Sequence, residues 1–60
     1  MTPQEDLILD MKLFLAEHGT KKFLESVSES VKQYGEMIGG VQQWDAEETA
    51  ENIKEEANRY

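Results

Sequence analysis

Residues 4–18 carry two apolar stripes where a helix in a small domain usually shows one. At about 100° per residue, Leu7, Ile8, Met11, Phe14 and Leu15 share an arc of roughly 120°, the usual width of a core-facing face. Leu9, Leu13 and Ala16 form a second stripe. Lys12 and Glu5 separate it from the first on one side, and Asp6, Asp10 and Glu17 on the other. A chain of 60 residues has little material to cover both. One stripe is expected to face its own fold and the other a partner.

Size sharpens that expectation. Residues 1–60 make one helical domain at most. A domain of this length buries only about 60% of the surface its unfolded chain exposes, so it leans on staples, metals or oligomers. With no cysteine there are no disulfides and no thiolate ligands, and one histidine cannot build a His-based zinc site. Oligomerisation or a very efficient core remains. No cofactor is expected.

Thirteen acidic residues stand against six basic ones, for a net charge of −7. Residues 41–60 hold six acids and two bases, the denser half of that charge. Counterion-release binding to nucleic acid needs a basic surface, and an anionic membrane would repel this one. Direct nucleic-acid and membrane partners are therefore not expected. The charge favours solvation and basic partners. The apolar runs Leu7–Leu9 and Leu13–Leu15 fall far short of a membrane span, and acids at Glu5 and Asp6 occupy the place of a signal peptide's basic region. A cytoplasmic location is the expectation.

Thr2, Pro3 and Glu5 make a capping box with proline at the first helical position, and His18-Gly19 is a stop signal. Helix 1 is predicted over about 3–18. Thr20 is read as the cap of helix 2, predicted over about 21–38. Phe23, Leu24, Val27, Val31, Tyr34, Met37 and Ile38 share one arc of roughly 140°, with Val31 and Tyr34 expected at the centre of the core. Gly35 inside this helix costs about 1 kcal/mol relative to alanine, which points to close approach of another helix. Gly39-Gly40 ends it. Val41-Gln42-Gln43-Trp44 reads as a link. Asp45 and Glu48 form a second capping box for helix 3, predicted over about 46–58. Its stripe of Ala46, Ala50, Ile53, Ala57 and Tyr60 is narrow and small, suited to close packing, with Ala50 at the nearest approach.

No residue set amounts to a site for chemistry, and an enzyme is not expected. Trp44, beside the cap of helix 3, is read as a clamp on the core or as a partner-facing anchor. His18 sits where an imidazole favours the negative end of a helix, without a nucleophile or orienting group at useful spacing. Lys21-Lys22 lacks a glycine-rich phosphate cradle. Ser26, Ser28 and Ser30 fall on three azimuths. Glu47, Glu51 and Glu55, at i, i+4 spacing, form an acidic surface without the pattern of a calcium loop.

From Leu24 to Tyr60 the chain runs as an apolar helix, a Gln/Trp/Asp link and an Ala- and Glu-rich helix. This arrangement resembles short helical-hairpin reading frames of phage and bacterial genomes. The resemblance implies a helical fold and a mobile-element origin, and no function.

These readings converge on an all-α, three-helix protein in which helices 1 and 2 form the core and helix 3 folds back on them. The expected function is a small acidic protein-interaction module, homodimeric through helix 1. Leu9, Leu13, Ala16 and Trp44 are its candidate interface, and the partner is another protein, with a basic surface if the charge is used. The alternative is a DNA-mimic inhibitor whose carboxylates, Glu47, Glu51 and Glu55 among them, occupy a basic nucleic-acid-binding groove.

Overall fold

A computed structural model describes residues 2–60. The Thr2 hydroxyl accepts from the Glu5 backbone N–H at 3.1 Å, Pro3 takes the first position, and helix α1 runs Pro3–His18. Helix α2 runs Thr20–Ile38 and helix α3 Gly40–Ala57, so the fold is all-α with three helices. Single glycines join them. Gly19 and Gly39 have φ of 87° and 76° with ψ near 180°, a region that only glycine enters without strain. The N–H of Gly19 closes α1 on the Leu15 carbonyl at 3.0 Å, while its own carbonyl receives the Phe23 N–H at 3.1 Å and opens α2. Gly39→Ala is expected to cost about 1–3 kcal/mol, the usual cost of holding a side chain in that region, and urea titration would measure it.

Two predicted starts are corrected. Thr20 lies inside α2 and does not cap it; Gly19 holds the cap position without a side-chain bond. Helix α3 begins at Gly40, well before residue 46, so the expected link Val41–Trp44 is helical and Asp45 is an interior residue, not a cap. The reason is tertiary. Continuing the helix backward from Ala46 adds Gln43 to the contact that Ala46 makes with Gly35 of α2. That contact outweighs the local appeal of the Asp45–Glu48 box.

The centre of the molecule is the α2–α3 hairpin. Gly35 and Ser28 of α2 and Ala50 and Ala57 of α3 are the buried residues. A Cβ on Gly35 would overlap that of Ala46, so this glycine admits the neighbouring backbone, as its place in the sequence suggests. Ala50 is 4% exposed and Ala57 fully buried. The Ser28 hydroxyl crosses the seam and donates to the Ala50 carbonyl at 2.6 Å. That carbonyl also lies within α3's own ladder, so removing the hydroxyl strands no acceptor. Ser28→Ala should therefore cost only about 1 kcal/mol, whereas Ser30→Ala, whose bond stays within α2, should be neutral in the same thermal melts.

The expected core of helices 1 and 2 is thus displaced to α2 and α3. Helix α1 meets α2 at far fewer residues than α3 does and does not touch α3. Helix α2 lies in the middle with α1 and α3 on either side, in a body of 35 × 32 × 12 Å. Val31 is half-buried, but Tyr34 is 58% exposed and is not a core residue. Tyr60, the last member of the helix 3 stripe, is also exposed. In a layer of helices each one buries only its flanks, and side chains above and below the layer stay open.

Candidate interaction surfaces

Helix α1 joins α2 near the Gly19 corner. The Phe14 and Phe23 rings lie 6.3 Å apart there, and Phe14 also meets His18 at 4.5 Å. Away from this aromatic contact α1 and α2 border an apolar groove of about 390 Å³. Leu7, Met11 and Phe14 form one wall, and Phe23, Val27 and Val31 the other, with Ser26 and Ser30 among the lining and Asp10 its only charge. These apolar residues were expected inside the core. No large side chain among the described residues is fully buried. One signal for this was legible. Ser28 and Gly35 of α2 match the small stripe of α3, so the hairpin seam uses small residues and leaves the large ones elsewhere.

A second depression lies between α2 and α3, lined by Ser28, Glu29, Lys32, Ala50, Glu47, Glu51 and Lys54. Phe23 and Lys32 are nine residues apart, about 180° around the axis, so α2 presents the apolar groove and this polar cleft on opposite faces. Glu47 and Glu51 meet in the cleft, but Glu55 is not among its lining. Two lysines answer three carboxylates here, which dilutes the acidic surface expected from the spacing alone. Gln43 donates to Glu47 at 3.3 Å and Gln33 to Glu29 at 3.1 Å. Such exposed contacts hold side chains in place and add little stability.

The remaining candidates are scattered. Leu9, Leu13 and Ala16 are exposed on α1, Leu13 by 58%. Trp44 is 74% exposed in α3, so it clamps nothing onto the core. Because α1 and α3 do not touch, the structure does not bring Trp44 together with the α1 stripe, and α3 does not cover that stripe. His18 lies 3.6 Å from its neighbour Glu17, and Arg59 pairs with Glu56 at 3.3 Å. Neither Lys21 nor Lys22 forms an ion pair among the described residues. None of the described helices is long and apolar enough to cross a membrane. No known family, characterised protein or solved structure matches this chain.

Proposed function

We propose that this chain is a small, acidic, non-enzymatic protein-interaction module, homodimeric through α1, that serves as a phage or bacterial accessory factor by binding another protein. The observation that carries the reading is the amount of oily surface left outside. Leu7, Ile8, Leu9, Leu13, Tyr34, Met37, Ile38, Val41 and Trp44 are all exposed. Single exposed apolar residues are ordinary, but so many on a small protein, beside an open apolar groove between α1 and α2, support an association role. The acidic cleft supports a charge-based role less well, because Lys32 and Lys54 sit among its carboxylates.

Sedimentation equilibrium tests the reading. The chain should sediment at twice its 6.9 kDa mass, with a dissociation constant that barely moves between low and high salt, as apolar association predicts. A single-chain mass at every concentration overturns the homodimer. A dissociation constant that rises steeply with salt overturns the apolar basis.

A further inference from the structure

We propose that two copies of this chain stack through the α1–α2 groove face, with α1 of each copy seated along the groove of the other. The inference rests on the homodimer reading above and assigns it a face.

Area makes the first argument. A folded protein of 6.9 kDa exposes about 4,000 Å² on the general scaling of folded surfaces with mass. This chain exposes 4840 Å², an excess of about 800 Å². That excess, spread over the whole flat chain, is similar in size to the share, about 800 Å², that each partner contributes to a standard stable interface. The radius of gyration agrees: it is 12.6 Å, against about 10.4 Å for a compact domain of this length. The molecule is spread out as one half of a two-layer body would be.

Chemistry selects the occupant. Helical domains close by setting one apolar layer on another. A second copy supplies a layer of the same size and the same oily face, and a two-fold contact needs only one self-complementary surface. The groove is open to solvent, and its lining has one charge, Asp10. The opposite face of α2 holds Glu29 and Lys32 and, with α3, Glu47, Glu51 and Lys54, three carboxylates and two ammonium groups. Two chains of net charge −7 that met through that face would take these charges out of water with carboxylates in excess. Stacking through the groove holds those faces apart.

The arrangement also assigns the second stripe of α1. Leu13 and Met11 point about 200° apart around the helix, so filling the groove leaves Leu9, Leu13 and Ala16 on the outside. That stripe is then free for a different protein, and one helix serves both contacts.

Sedimentation equilibrium of three proteins tests the face: the wild type, Val27→Arg in the groove and Leu13→Arg on the outer stripe. The wild type should be a dimer. Val27→Arg should raise the dissociation constant at least about a hundredfold, because a bulky guanidinium would be buried twice in a two-fold contact, with Asp10 the one carboxylate in the lining to offset it. Leu13→Arg should leave it unchanged. If Leu13→Arg dissociates the dimer and Val27→Arg does not, the groove assignment is wrong while the homodimer stands. If the wild type is a single chain throughout, both fall.

A second measurement decides the matter should Val27→Arg fail to fold. The chain has no cysteine, so one introduced thiol can cross-link only to another copy. Ser30→Cys, at the groove, should be captured as a covalent dimer by a short bifunctional maleimide, and Glu51→Cys, on the other face, should not. Capture through Glu51→Cys in preference to Ser30→Cys overturns the proposal.

Discussion

Gly35→Ala should destabilise the fold by about 2 kcal/mol, although alanine is the better helix former by about 1 kcal/mol. On an exposed helix face the same change would stabilise. Here the added methyl would overlap the Ala46 Cβ and lie 3.4 Å from the Gln43 carbonyl oxygen and 3.5 Å from its Cα. None of these is the free end of a flexible side chain. The two helix backbones must separate, and the contacts along the seam weaken with them. Ala46→Gly alone should cost about 1 kcal/mol through helix propensity. In the Gly35→Ala background it should restore stability, because it removes the atom in collision. That sign reversal in a double-mutant cycle, followed by circular dichroism in urea, is the result expected of a contact between the two sites. A neutral Gly35→Ala would mean that the helices do not approach this closely.

Ala50→Leu should be at least as damaging, at about 3 kcal/mol. Ala50 is 4% exposed, and its carbonyl receives the Ser28 hydroxyl at 2.6 Å. The depression that Ala50 borders is lined by Glu29, Lys32, Glu47, Glu51 and Lys54 and offers three extra carbons no apolar cavity, so the helices move apart and the Ser28 bond is lost. In a domain of this length each kcal/mol shifts the melting temperature by roughly 4–8 °C, so the midpoint should fall by about 12–24 °C. Thr49→Leu is the control. Thr49 precedes Ala50 but is exposed, and the same side chain there should change stability by less than about 0.5 kcal/mol. Equal effects at the two positions would argue against the α2–α3 seam.

The helix boundaries divide sharply into legible and illegible ones. Thr2, Pro3 and Glu5 announce α1 because a capping box is a local device, complete within four residues. Gly19 and Gly39 end α1 and α2 for a similar reason: the backbone there takes a conformation that only glycine holds without strain. The start of α3 was not legible. Asp45 and Glu48 offered a good local cap, and the Gln-Gln-Trp run before it contained neither a breaker nor a strong reason to be helical. What made that run helical is Gly35 of α2, on which Gln43 and Ala46 lie.

The same division holds for the surfaces. Two stripes on α1 could be read directly, since helical periodicity requires only the order of residues. Their assignment could not. Leu7, Met11, Phe14, Phe23 and Val27 have the spacing of core residues, yet they line an open groove. The spacing of Glu47, Glu51 and Glu55 suggested one acidic surface, but Glu55 lies outside the cleft and Lys32 and Lys54 stand within it. By itself, then, the order of amino acids determined three helices, their breaks at glycine, and which residues share each helical face, because all of these depend on interactions a few residues apart. Only the tertiary structure decided which faces meet. Small residues in α2 and α3 let those backbones approach closely, and the single-residue corner at Gly19 leaves α1 against one flank of α2 and out of reach of α3. The large apolar side chains are left without a second layer over them, because burial depends on distances between helices that no local pattern encodes.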